Sequence, residues 1–517
     1  VRLRGKSAGR PSSGCRKPAR WRVALAREKG AGVSGPDVDM HKCISNRFLY
    51  RYIMNLRITI LDRDLRTMSR GQQKTGDTMQ TRSTLDEHAT IAAPAPERTA
   101  KHYLLAGWAS MAGTTIEWYD FFLYGTAAAL VFNRIFFPSL DPVVGTLAAF
   151  GTFAVGFIGR PMGGIVFGHF GDRIGRKSML MITLLLMGVP SMIIGLIPSY
   201  DRIGYWAAAL LIAMRFLQGM AVGGEWGGAV LMAVEHAPKG RKGLFGSLPQ
   251  TGVGLGLILS SVAMAAVAAL PEADMLSWGW RVPFLASIAL VGLGWFIRAK
   301  VPESPDFEKM QRQGKAEKSP VTAALRRHPR EVLTIVGARA AENTWFYMVV
   351  TFALAYATQQ LHLPKAEMLH AITAGAALSL VTMPLCGHLS DRIGQRRMFA
   401  IGLVLMCAFA APFFLMLGTQ QVSYAWWAIV LGLGVVFPIL YAPESLLFAQ
   451  QFPAEIRYSG ISLSVQLAGV IGGGFAPMIA TSLLKAGGGQ PHYVIAYLVG
   501  FGVFALMCTA LMRPARA

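Results

Sequence analysis

From about residue 103 onward the chain is a succession of apolar runs. Each is close to the length of about 20 residues that crosses a bilayer as a helix. Twelve such runs lie near 103–131, 145–168, 178–198, 205–234, 245–270, 281–299, 333–359, 367–389, 397–417, 424–449, 458–484 and 491–512. They are rich in Gly and Met, and small residues let membrane helices approach closely. The pattern predicts an all-α membrane protein of twelve transmembrane helices.

The polar stretches between the runs fall into two alternating sets. One set holds Arg173, Arg176 and Lys177, then Lys239, Arg241 and Lys242, then Lys309 to Arg330. It continues with Arg392, Arg396 and Arg397, then Arg457, then Arg513 and Arg516. The other set, at 132–144, 199–204, 271–280, 360–366, 418–423 and 485–490, is poor in Lys and Arg. Basic loops stay cytoplasmic, so both termini are expected inside. The longest internal loop, 300–332, carries KMQRQGKAEKSP and RRHPR and divides six spans from six. The expected organisation is a six-helix bundle at 103–299, a cytoplasmic loop at 300–332, a second bundle at 333–512 and a tail at 513–517.

Composition agrees with this pattern. Charged residues are 15% and hydrophobic residues 53%, with a mean hydropathy of +0.41. A soluble chain carries about 25% charged residues, because its surface needs them however large its core. The net charge of +22 suggests nucleic-acid binding until it is mapped. Residues 1–78 hold 18 Lys+Arg against 6 Asp+Glu, so +12 sits there and +10 in the rest. This first segment has no apolar run long enough to span and no signal-peptide pattern. It reads as translated sequence upstream of a true start, or as a disordered basic tail. Residues 79–102 read as a polar cytoplasmic tail. The five cysteines, Cys15, Cys43, Cys386, Cys407 and Cys508, have no metal-ligand spacing.

The chain contains a repeat. GHFGDRIGRKSML at 168–180 matches GHLSDRIGQRRMF at 387–399, an offset of 219 residues, about one six-span half. Both segments follow an even-numbered span. A duplicated half is implied, with a substrate site near the midplane between the halves. The glycines permit a tight turn. Asp172 and Asp391 can accept bonds from helix-end amides or pair with arginine, so the two segments can latch one half to the other.

The segment Gly168–Lys177 resembles the signature loop of the major facilitator superfamily. Its second copy departs at Gln395, where the family often has Arg. The segments TIEWYDFFLYGTAAALVFNRIFFP (115–138), GRPMGGIVFGHFGDRIGRK (159–177), RFLQGMAVGGEWGGA (215–229), SWGWRVPF (277–284) and PESPDFEK (302–309) resemble its metabolite:proton symporters. That family includes carriers for shikimate, α-ketoglutarate, citrate, and proline or betaine. The stretch 327–359 is most similar to the shikimate branch. The resemblance implies a secondary active transporter in a bacterial inner membrane, monomeric and driven by the proton gradient without a cofactor. Its substrate is expected to be a small organic acid such as shikimate. Proline/betaine or di- and tricarboxylate carriage is the alternative within the family, and a membrane sensor that does not transport is the alternative outside it. Proton-coupled uptake by alternating access is the expected mechanism.

Ionisable groups at bilayer depth are functional candidates, since each costs at least ~2.5–3.5 kcal/mol to insert. Glu117 and Asp120 sit three apart in span one and are expected to share a face and hold a proton. Arg215 fits the family's second motif. It cannot readily give up its proton, so it is expected to tune a carboxylate or grip a substrate carboxylate. Arg160, which could also snorkel, Arg339 with Glu342, Asn343 and Tyr347, and the amides Gln250 and Gln466 are the further substrate candidates. Internal ion pairing is the alternative for Arg339 and Glu342, and bonding across helices for the two glutamines. Trp118, Tyr119, Tyr124 and Trp345 could line a pocket for a ring-bearing acid. The expected cytoplasmic gate comprises Asp172, Arg173, Arg176 and Glu225, matched by Asp391, Arg392, Glu444 and Arg457. In it Glu225 is expected to meet the 173–177 loop, and Glu444 to meet Arg457. No phosphate loop, zinc helix or nucleophile elbow is present. ATP-driven pumping, metal binding and enzyme chemistry therefore have no support, and the expected partners are the bilayer, a small acid and protons.

Overall fold

The computed structural model describes residues 100–513, apart from 141 and 316. The readings of 1–78 and 79–99 lie outside the described residues. Among the described residues the elements are helices. We label the span-length ones α1 (100–136), α2 (Pro142–Ile174), α3 (Arg176–Leu196), α4 (Tyr205–His236), α5 (Lys242–Ala268) and α6 (Glu272–Ala299). The second series is α7 (329–360), α8 (Lys365–Ile393), α9 (Gln395–Gly418), α10 (Val422–Ala449), α11 (Arg457–Ala486) and α12 (His492–Leu511). Nine helices among the described residues are long and apolar enough to cross a membrane on length and composition alone. Helices are the only open-ended elements that satisfy their own backbone in lipid. The interior prolines Pro161, Pro190, Pro249, Pro384, Pro412 and Pro443 each break that pairing once, which is tolerated where neighbouring helices and local adjustment of the turn re-satisfy the freed group.

In the first bundle α1 packs on α5, α2 on α4, and α3 on α4 and α6. In the second, α7 packs on α11 and α12, and α9 on α10 and α12. The bundles meet where α5 crosses α8 and where α2 crosses α11. The duplication extends beyond the two motifs. A π-turn interrupts α1 at Ala128–Phe132 and α7 at Met348–Phe352, close to the 219-residue offset.

The helices overrun their expected limits, and this changes the reading of the repeated motif. Residues up to Ile174 remain helical, so the connection to α3 is the single residue Gly175, at φ +121°. Gly394, at φ +94°, does the same between α8 and α9. Positive φ favours glycine. Asp172 and Asp391 therefore stand on the last turn of a helix, a rigid platform. The 300–332 stretch also contains more order than a loop. Helices Pro305–Arg312 and Pro320–Arg327 lie in it, with Phe307, Met310, Ala323 and Ala324 buried.

Candidate functional site

The end of the bundle that carries the two motifs is closed by bonds between the halves. Asp172 is fully buried and accepts from the amides of Tyr458 (3.2 Å) and Ser459 (2.9 Å) at the start of α11. Asp391 accepts from Gly243 (2.6 Å) and Leu244 (2.9 Å) at the start of α5. Each carboxylate thus caps the unsatisfied amides and positive end of a helix in the other half. Arg176 lies 3.4 Å from Asp172 and donates to the carbonyl of Ala454 (3.1 Å). Arg457 joins Glu235 and Asp306, both at 2.9 Å. Glu303 accepts from the amides of Arg176 (3.1 Å) and Lys177 (3.2 Å) at the start of α3. Burial pushes its carboxyl above the usual range, against the pull of those amides. Arg173 and Arg392, expected in the gate, are exposed on the outer surface, and Arg173 reaches His169 (3.2 Å).

Two gate expectations fail. Glu225 does not meet the 173–177 loop. It lies deeper on α4, paired with Arg298 of α6 and accepting from Thr183 (2.7 Å). Glu235 takes the expected place, 3.6 Å from Arg176. It stands ten residues, nearly three turns, further along the same helix. Glu444 likewise does not meet Arg457, because it points into the bundle and pairs with Arg339 of α7. Glu225 and Glu444 are themselves 219 residues apart, the offset of the motifs. Each half therefore carries an equivalent glutamate, and each is held by an arginine from a different helix of its own half.

Glu117 and Asp120 are both buried, 3% and 2% exposed, but they do not act as a pair. Asp120 accepts from Ser287 of α6 (2.6 Å), with Ser191 and Arg215 alongside. Arg215 donates to Gln218 (3.3 Å), and Gln218 to Ser191 (2.6 Å). Glu117 lies one turn closer to the motif end. The charges acting on it are Glu225, Arg160 and Arg298, and its Oε2 is buried without a hydrogen-bond partner. Three residues along a helix put the two carboxyls on adjacent faces, where different neighbouring helices claim them.

Arg160 lies at the centre. It is 8% exposed, so it does not snorkel to the surface. Its guanidinium sits over Phe121 (4.8 Å) and Phe157 (4.5 Å), beside Tyr347 from the other half. Among the described residues no carboxylate lies within salt-bridge distance of it. Phe157 meets Tyr347 with ring centroids 6.1 Å apart, and Trp118 meets Phe346 at 5.7 Å. Phe121, Phe157 and Tyr347 flank the cation, and Trp118 and Phe346 pack behind them on Phe121 and Tyr347. Trp345, Tyr119 and Tyr124 are not part of this wall. Trp345 and Tyr119 bond the carbonyls of Gly432 in α10 and Pro283, and Tyr124 bonds Thr152 and lies under the Arg215 guanidinium at 4.4 Å.

Arg339 differs from Arg160 in already being neutralised. It pairs with Glu342 (3.0 Å) and with Glu444, so the expectation that it receives a substrate carboxylate is not met by the geometry. Asn343 donates to the carbonyl of Arg339 (3.2 Å) and is likewise engaged within α7. Gln250 donates to Ser445 (2.9 Å) and to the carbonyl of Tyr441 (3.3 Å). Gln466 donates to the carbonyls of Val222 (3.4 Å) and Gly223 (3.3 Å). Both amides therefore bridge the halves. Opposite the motif end, a cavity of about 540 Å³ opens between α1 and α5 on one side and α7 and α8 on the other. Phe122, Thr126, Val350 and His370 are among its lining residues. Bonds between the halves thus hold them together at the motif end, and this cavity lies between the halves toward the other end.

Comparison with known proteins bears on this architecture. The family model of the Major Facilitator Superfamily matches residues 110–477 and 342–517. The chain belongs to the Major Facilitator Superfamily. It is a multi-pass inner-membrane transporter, and not an enzyme. It is 42% identical over 414 residues to the shikimate transporter of Escherichia coli K12, covering 80% of this chain and 94% of that protein. It is 38% identical to the inner membrane metabolite transport protein YhjE of the same organism, covering 78% of this chain and 92% of that protein. It is 32% identical to the proline/betaine transporter of the same organism, covering 78% and 82%. Its fold is that of the proton:xylose symporter XylE with bound 6-bromo-6-deoxy-D-glucose, at a TM-score of 0.63 and 15% identity, covering 80% and 95%.

Several site residues escaped the sequence reading. Ser191, Gln218 and Ser287 serve Asp120, and short polar residues in an apolar run carry no distinctive signal. Arg298 and Glu235 stand near span ends, where they resemble ordinary flanking charges. The 219-residue spacing of Glu225 and Glu444 was available in the sequence and marks both.

Proposed function

We propose that this transporter carries a small organic acid inward together with protons, with the motif end facing the cytoplasm. The observation that carries the reading is Arg160, a buried cation at the junction of the halves with no carboxylate partner among the described residues. A buried charge needs a counter-charge. Here the available ones are Glu117 nearby, when it is ionised, and an incoming substrate anion. The two compete. A proton on Glu117 removes its negative charge and leaves Arg160 to a substrate carboxylate. An ionised Glu117 claims the field of Arg160 and weakens substrate binding. Proton and anion therefore favour one another's binding, and that mutual preference is symport.

The chain's own groups supply the remaining steps. Substrate enters through the cavity between α1, α5, α7 and α8. Phe121, Phe157, Trp118 and Tyr347 close around its ring, and Arg160 takes the carboxylate in bidentate fashion. Arg215 and Asp120, held by Ser287, Ser191 and Gln218, provide a second charge pair deeper in the same half. With the charges balanced, the latches at Asp172, Asp391 and Arg457 can part and the halves can rock. The similarity to the shikimate transporter supports an acid substrate bearing a ring. The zwitterions carried by proline/betaine relatives suit a cationic centre less well.

The test is uptake into proteoliposomes under an imposed inward proton gradient. Shikimate, α-ketoglutarate, citrate, proline and betaine serve as competitors. A gradient-dependent accumulation abolished by a protonophore, with an acid as the strongest competitor, is expected. Uptake that ignores the gradient, or is blocked best by betaine, overturns the reading.

A further inference from the structure

The cluster of α7 and α10 holds more acid than base. Arg339, Glu342 and Glu444 are 5%, 2% and 0% exposed. Both carboxyls converge on the one guanidinium. Fully ionised, the cluster carries a net negative charge away from water. Arg339 stands ten residues in from Pro329, which at about 1.5 Å per residue places the cluster roughly 15 Å inside the bundle. Two carboxylates sharing a buried site cannot both ionise without heavy cost. Glu342 Oε2 is taken up by the ion pair with Arg339, but Glu444 Oε1 is buried with no hydrogen-bond partner, which leaves need for a proton there.

The cover over this cluster comes from the other half. Trp226 of α4 lays its ring over the Arg339 guanidinium at 5.2 Å, and Tyr441 of α10 does so at 4.6 Å. The indole N–H of Trp226 donates to the Tyr441 hydroxyl (3.0 Å) and to Gln250 (3.1 Å). The other titratable groups facing the cluster are Tyr441 from α10 and Tyr347 from α7. Trp226 adjoins Glu225, which is paired with Arg298 and acts on Glu117. One helix turn of α4 therefore touches both the first half's carboxylate cluster and the second's. Parting the halves at the motif end must lift Trp226 and Gln250 away and admit water to Arg339 and its two acids.

We propose that Glu342 and Glu444 form a second proton-holding site, loaded while the motif end is closed and discharged when Trp226 lifts from Arg339. The inference rests on the proton-coupled reading above. It adds one proton per substrate to whatever the Glu117 exchange carries. The cycle balances as follows. One carboxyl of the pair arrives protonated and releases that proton to water at the motif end, which leaves two carboxylates against Arg339, a net negative charge that the admitted water solvates. The cluster takes up a proton from the opposite end as the halves return and that water leaves.

The experiment measures the proton-to-substrate ratio in proteoliposomes, from the membrane potential at which net flux reverses at fixed gradients. Wild type, Glu444→Gln and Glu342→Gln are compared, together with substrate counterflow, which needs no net proton movement. Both variants are expected to retain counterflow and to lose one proton per substrate relative to wild type. A wild type that moves protons, with the same ratio in either variant, overturns the second site and leaves the symport reading standing. Loss of counterflow in both variants also overturns it, because the carboxyls then serve the structure. A wild type that moves no proton at all sinks the symport reading itself.

Discussion

Replacing Arg160 with glutamine probes the central charge exchange directly. Arg160 is held by the faces of Phe121 and Phe157 and makes no ion pair among the described residues, so its removal leaves no carboxylate stranded within 4 Å. The loss then falls on the ligand. Truncating one partner of a buried, hydrogen-bonded charge pair costs about 2–5 kcal/mol. That corresponds to roughly 30-fold to several-thousand-fold weaker binding of an organic acid. Lysine keeps the charge and loses the two-pronged geometry, so Arg160→Lys should fall between. The assay is equilibrium binding of labelled acid to detergent-solubilised protein, with circular dichroism and thermal melting to confirm folding. Binding by Arg160→Gln within threefold of wild type, beside a total loss in Arg339→Gln, would refute the reasoning and move the carboxylate site to α7.

Other expectations follow from the latch and the turns. Asp172→Ala removes a helix cap worth about 0.5–2 kcal/mol. It should raise the labelling rate of a cysteine placed at Ser462 by about 2- to 30-fold, and an unchanged rate would remove Asp172 from the latch. Gly175→Ala forces a side chain to φ +121°, at a cost on the order of 1–3 kcal/mol. The melting midpoint should drop, whereas Gly500→Ala, where an added Cβ meets nothing, should not lower it. Glu303 has a carboxyl raised by burial, so the folded state binds its proton more tightly than the unfolded chain does. Its contribution to stability is present below the ordinary carboxylate range and declines as pH rises through the raised value. Glu303→Gln should flatten that slope in melting curves on the alkaline side of the ordinary carboxylate range, and an unaltered slope would assign it to another group.

The sequence by itself determined the twelve spans, the duplication and the family, because each rests on local composition or on order along the chain. A run of apolar residues must be helical in lipid wherever it sits, and the repeat at 168 and 387 is a matter of spacing. It also marked Glu117, Asp120, Arg160, Arg215, Arg339 and Glu342, since a charge inside an apolar run is conspicuous without coordinates. Only the tertiary structure decided which charge meets which. Glu117 and Asp120 separate because adjacent faces of α1 meet different helices. Glu444 leaves Arg457 for Arg339, and Glu225 leaves the loop for Arg298, because helix rotation sets whether a side chain faces its own bundle or the end. Pairing energies depend on distances of a few ångströms between residues up to 287 positions apart, as between Asp172 and Ser459. Nothing in the linear order encodes them, and so the distinction between the neutralised Arg339 and the waiting Arg160 belongs to the fold.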